Sequence, residues 1–191
     1  LKHDLDPLRK RVIFAGGFQR WQGLEDLVAA MAVLRDTRAD VDLLLVGDGP
    51  VRSAVLKAVR DQGIEDRISL TGFVEEVRMA ELVAASDICV APYNKMVLNP
   101  ADPGVDTRDA TMRGSPLKLY AYMACGRPVV ATHFREAGGY LESNGVGLAV
   151  PPGDPAALAQ AVASLLDDPA SAREMGVRAR GLAEERHDWS Q

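Results

Sequence analysis

Six short apolar runs, near residues 11–15, 42–46, 67–70, 87–91, 128–132 and 147–150, alternate with longer segments whose apolar residues recur at helical spacing. Parallel strands need a helix-sized crossover, and a buried parallel sheet needs both faces covered, so this alternation marks βαβ units wound into one sheet. Helices are expected near 23–35, 50–62, 75–85, 115–124, 154–167 and 169–185. The predicted fold is α/β: a Rossmann-like, doubly wound parallel sheet of about six strands. A chain of 191 residues with 47% hydrophobic content is sized for one such domain with a real core, expected over 11–186. The charged segment 1–10, which holds Pro7, reads as a linker remnant.

Charge and composition exclude several classes. A net charge of −5 and no basic run offer no footprint for nucleic acid. Cys89 lies in the apolar run ICVA and Cys125 at a helix end, with no CxxC partner and no paired histidines, so both read as buried thiols of a reducing compartment. Asp102, Asp106 and Asp109 share a loop without the spacing of a calcium loop and read as solvated, and no metal is expected. No apolar run approaches the ~18 residues of a membrane helix and no signal peptide opens the chain, so the expected location is the cytoplasm.

In an open parallel sheet, ligands gather outside the carboxyl ends of the strands. Four groups of residues stand at such ends: Gly16 and Gly17, then Gly47, Asp48, Gly49 and Pro50, then Gly72, Phe73 and Val74, then Pro92 and Tyr93. The Gly16-Gly17 pair can turn N–H groups toward a diphosphate, and Arg20 stands near in sequence to supply charge. Each group also fits a plain turn, and Phe73, a large aromatic behind a strand, fits the core. The fifth element is the segment SPLKLYAYMACGRPVVAT, from Ser115 to Thr132. Ser115 is a good N-cap and Pro116 suits the first helical turn. Leu117, Tyr120, Ala121 and Ala124 recur at helical spacing, and Gly126 stops the helix. Free amides expected at 115–118, with Lys118 beside them, would favour an anion. About twenty residues with no helical periodicity, Tyr93 to Gly114, lead into this helix and could form a flap over it. No GxGxxG or Walker pattern occurs, which weakens the nicotinamide and P-loop readings.

Five phrases now stand in one order: AGGFQRWQGLEDLVAAM (15–31), LLLVGDGPVRSAVLKAV (43–59), TGFV (71–74), MACGRPVVAT (123–132) and VPPGDPAALAQAV (150–162). From Arg11 to Trp189 the chain resembles the carboxy-terminal, donor-binding half of family 4 glycosyltransferases of the GT-B fold. The resemblance implies an enzyme that binds a UDP-, GDP- or ADP-sugar and passes the sugar to an acceptor, with retention and without a cofactor. It further implies that Gly72, Phe73 and Val74 flank the nucleobase and that Gly114, Ser115, Pro116 and Leu117 face the sugar and distal phosphate. Gly16, Gly17, Arg20 and Lys118 would stabilise charge on the leaving diphosphate. Gly47, Asp48, Gly49 and Tyr93 would line the site. The acceptor and the general base would belong to the other half of a full-length enzyme, which could also touch a membrane surface. Residues 187–191 resemble the start of a helix crossing back to that half, so this fragment alone is expected to be inactive.

The chain departs from the family pattern at four positions. Two glutamates eight positions apart, one for the sugar and one for the ribose, fall at Arg113 and Ala121. An arginine behind the first strand and a lysine before the first helix fall at Gly17 and Gln22. Two other readings stay open: a non-catalytic nucleotide-binding or assembly domain that lost its ribose carboxylate, and a sugar-nucleotide epimerase of related fold.

Overall fold

The strand-forming runs pair into one six-stranded sheet in the order β3-β2-β1-β4-β5-β6, with every pairing parallel. Its strands are β1 Lys10–Ala15, β2 Val41–Val46, β3 Ile68–Gly72, β4 Ile88–Ala91, β5 Val129–Thr132 and β6 Gly147–Val150. This is the doubly wound order, and its direction reverses between β1 and β4. The computed structural model describes residues 8–95 and 116–186. The residues expected to form a flap, with Asp102, Asp106 and Asp109, together with Arg113, Gly114 and Ser115, lie outside those residues, as do residues 187–191.

The helices are α1 Leu24–Thr37, α2 Arg52–Asp61, α3 Glu76–Ala84, α4 Leu117–Ala124, α5 Tyr140–Ser143, α6 Pro155–Asp167 and α7 Pro169–Arg186. Side chains alternate across a strand, so β1 sends Val12 and Phe14 to one face and Ile13 and Ala15 to the other. The first face packs on α1, α2 and α6 through residues such as Leu27, Val59 and Val162. The second packs on α3, α4 and α5 through Leu82, Tyr122 and Leu141. Helix α7 joins both, with Met175 in the first core and Ala179 and Ala183 in the second. No helix among the described residues is long and apolar enough to cross a membrane.

Four expectations are corrected. Lys10, expected in the leading segment 1–10, opens β1, and Arg9 pairs with Asp42 at 2.7 Å under partial burial. Helix α4 begins at Leu117 with Pro116 in the capping position and no side-chain cap, rather than at Ser115. Proline has no N–H, so the amide cluster reduces among the described residues to the first-turn groups of Leu117 and Lys118. The buried face of α4 carries Leu119, Tyr122 and Met123, while Leu117 is 55% exposed and Ala121 and Ala124 face solvent. Apart from Lys118, the segment LKLYAYMA carries apolar or aromatic residues on every side, so spacing could not choose its inner face. A π-turn over Arg135–Gly139 runs into α5 where a plain connection was expected, its two glycines having hidden any helical pattern. The helix stop at Gly126 is as expected. Gly126 N–H donates to Met123 and Arg127 N–H to Tyr122, the paired bonds of a Schellman cap.

Candidate functional site

Strands β1 and β4 pair at Val12↔Ile88 and Ile13↔Cys89, and toward their carboxyl ends they part. The parting leaves both backbone polar groups of Ala15 facing the gap, where no sheet partner meets them. Tyr122, reaching up from α4, fills that place. Its hydroxyl accepts from Ala15 N–H at 2.8 Å and donates to Ala15 C=O at 3.2 Å. Burial pushes the phenol well above its usual range, so it remains a donor. Tyr122→Phe leaves two buried backbone groups unpaired and should cost about 2 kcal/mol, measured by urea unfolding.

The loops above this crevice are knitted by their backbones. Phe18 N–H donates to Asp48 C=O at 2.9 Å, and Val51 N–H to Phe18 C=O at 3.2 Å. Gly16 N–H bonds to Val46 C=O and Gly47 N–H to Gly72 C=O, each at 2.9 Å. The Asp48 carboxylate accepts from Gly49 N–H at 2.7 Å and lies 3.8 Å from Arg52. The polar groups of Asp48 are thus spent on the loops themselves. Across the gap, a 3-10 turn over Arg20–Gln22 is fastened to the end of β4. Asn94 N–H donates to Trp21 C=O at 3.0 Å, and its side-chain amide to Arg20 C=O at 2.6 Å. Gly23 closes the turn in a left-handed conformation at φ +65°, where a Cβ would stand 1.7 Å from Pro92 O.

Lys118 runs from the first turn of α4 into the centre of this arrangement. Its Nζ is 2.5 Å from Gln22 Oε1, 3.9 Å from the Phe14 ring centroid and 5.4 Å from that of Tyr93. A Cβ built on Gly16 would lie 3.0 Å from the same nitrogen. Gln22 is only 9% exposed and Tyr93 4%. Burial drives the Lys118 ammonium well below the ordinary lysine range and the Tyr93 phenol upward. No carboxylate is among the described contacts of Lys118. The aromatic faces and the amide oxygen offset part of the desolvation cost, but they do not neutralise the charge.

The structure therefore gathers Gly16, Gln22, Tyr93 and Lys118 at the reversal point. Gly17 and Arg20 are exposed on the rim. Gly72, Phe73 and Val74 stand at the end of β3, two strands from β1, and Phe73 is 82% exposed, which removes it from the core. Pro116 is buried beside the exposed Leu117, and Ala121 points outward one turn further along α4. His133 lies behind β5 with Nδ1 3.8 Å from Glu142, apart from this group. Phe14, Asn94 and Tyr122 were missed from the sequence. The two tyrosines of α4, Tyr120 and Tyr122, were the available signal, and the sequence does not say which of them turns inward. No group of three His, Cys, Asp or Glu side chains among the described residues could hold a metal ion. A cavity of about 380 Å³ opens instead at the amino ends of the strands, beside Lys10, Asp87 and Arg127. Lys10 is paired there with Asp87, and Arg127 donates to Ala84 C=O.

Comparisons with known proteins bear on the family and the fold. The chain is 30% identical over 192 residues to the D-inositol 3-phosphate glycosyltransferase of Pseudarthrobacter chlorophenolicus, a match spanning 98% of the chain and 41% of that protein. It superposes on sucrose-phosphate synthase from Thermosynechococcus elongatus with a TM-score of 0.77 at 31% identity, covering 97% of this chain and 43% of that one. The Anabaena HepE protein, solved in complex with UDP, superposes with a TM-score of 0.76 over 95% of this chain and 45% of that one, and at 22% identity it shows a shared fold. The chain spans less than half the length of the curated relatives it matches, 41–44% for the first three. The profile of the family described as glycosyl transferases group 1 matches residues 9–168, and to that family the chain belongs.

Proposed function

We propose that this chain is the donor-binding half of a family 4, GT-B sugar transferase, holding a nucleoside diphosphate sugar at the carboxyl ends of β1, β3 and β4. The observation that carries the reading is the Lys118 ammonium, partly buried at the sheet's reversal point with no carboxylate among its described contacts. A buried cation in such a place is suited to a bound anion, and the diphosphate of a sugar donor supplies one. UDP in the structure of HepE and the sugar-transfer names of the relatives support that choice of ligand.

In the proposed reaction the bond from the sugar to the diphosphate breaks and negative charge builds on the leaving phosphate. Lys118, Arg20 on the rim and the Gly17 N–H would stabilise it without a metal, the Gly16 N–H being spent on Val46 C=O. Gly72 to Val74 would receive the nucleobase, with exposed Phe73 offering an aromatic face. The acceptor and the base that activates it would belong to the part of a longer enzyme outside this chain. Alone, the chain should bind donor without turning it over.

Titration of UDP, GDP and ADP by calorimetry tests the reading, with Ala121→Glu as the second arm. Ala121 is exposed on the helix that carries Lys118, so a carboxylate fits there without repacking. Binding of one nucleotide, tightened about ten-fold by the glutamate through a ribose hydroxyl contact, is the expected result. Binding by neither version would favour the non-catalytic assembly reading, to which the missing carboxylate at Ala121 also points.

A further inference from the structure

We infer that Gln22 is a charge-neutral positioning residue whose task is to aim the Lys118 ammonium over the Gly16 loop while leaving the ligand's phosphate to be its counter-ion. The inference rests on the nucleoside diphosphate reading and says how that site is kept ready.

The geometry of the pair carries the argument. Gln22 sits in the short turn before α1 and Lys118 in the first turn of α4, on opposite sides of the sheet, and they meet across the end of β1. Gln22 is 9% exposed, and Asn94 and Gly23 lock its turn against β4, so its amide has little freedom. An ammonium carries three N–H donors, and Gln22 Oε1 takes one. The Phe14 and Tyr93 rings present π faces that attract the cation yet accept no full hydrogen bond. A glutamate would fit in the same volume and would satisfy the buried cation far better as a fold element. It would also cancel the charge and place a carboxylate where a phosphate must come. A glutamine holds the nitrogen in place and leaves its charge unspent. Gly16 completes the arrangement, because a Cβ there would stand 3.0 Å from the ammonium and crowd the approach.

The test is Gln22→Glu, read by thermal melting and by calorimetric binding of inorganic pyrophosphate and of UDP, GDP and ADP to the whole chain. The expected result has opposite signs: the midpoint rises, because a buried cation gains an ion partner, while affinity for pyrophosphate and nucleotide falls ten-fold or more. A residue with a purely structural role would move stability and binding in the same direction. Gln22→Leu serves as the second variant. It keeps neutrality and loses the aim, so affinity should fall by a few-fold and the midpoint should drop. Unchanged affinity in Gln22→Glu, or a fall in both quantities, overturns the inference and leaves the nucleotide reading intact. Pyrophosphate bound by the wild type and lost in Gln22→Glu, with no nucleotide bound, overturns that reading and sustains the inference. If the wild type binds neither pyrophosphate nor nucleotide, both are wrong.

Discussion

Lys118→Met is expected to raise the thermal midpoint of this domain and, on the proposed donor-binding reading, to weaken its binding of a diphosphate. Both halves of that result follow from one placement. The ammonium stands among Phe14, Tyr93 and Gln22, and burial holds its proton affinity well below that of a free lysine. Methionine fills nearly the same volume and buries no charge, so the desolvation cost disappears while the packing stays. A net gain of about 1 kcal/mol corresponds to roughly 2–4 °C in a domain of this size. The lost charge-assisted contact removes about 1.5–3 kcal/mol of binding, or roughly ten- to a hundred-fold in affinity.

The pH dependence gives the expectation a sign of its own. Between the depressed folded value and the unfolded lysine value near ~10.4, the unfolded chain keeps a proton that the folded chain has released. Lys118 therefore destabilises the fold most at low pH, and its cost fades as pH rises through that window. The midpoint advantage of Lys118→Met should be largest in acid and narrow toward pH ~10. Melting curves of both proteins across that range check it, and an advantage that widened with pH would count against the buried ammonium.

Gly23→Ala has the opposite character, a loss with no gain. The residue lies at φ +65°, and its Cβ would stand 1.7 Å from the carbonyl oxygen of Pro92. Alanine there incurs left-handed strain and must also push apart the turn at 20–22 and the end of β4. We expect a loss of about 3 kcal/mol or more, roughly 6–12 °C in midpoint. The same displacement would carry Gln22 away from Lys118, so pyrophosphate affinity should fall as well. Urea unfolding beside a binding titration checks both. A variant that melted with the wild type would show that the two loops are not packed as described.

Much of this architecture was legible beforehand because it depends on local rules. The six strands lie within a residue or two of the apolar runs, and the helices between them start and stop near their glycines and prolines. In a sheet buried on both faces each strand must be a continuous apolar run, so the strands of this fold class announce themselves. What could not be read was any feature set by two distant segments meeting. The inner face of α4 follows from Tyr122 reaching Ala15, a pair 107 residues apart. The exposure of Phe73 follows from β3 lying at the edge of the sheet, a matter of strand order. The short π-turn and α5 follow from packing against β5 and β6 where two glycines conceal the pattern.

The candidate site divides along the same line. The sequence alone established which residues stand at the carboxyl ends of strands, since that needs only the order of elements along the chain. Position along the chain did not reveal that Lys118 crosses the top of the sheet to meet Gln22, 96 residues away, over the ring of Phe14. That meeting depends on β1 and β4 parting at the point where the sheet reverses. Only the tertiary structure decides it, because a long side chain such as lysine takes its direction from the cavity that neighbouring elements leave open.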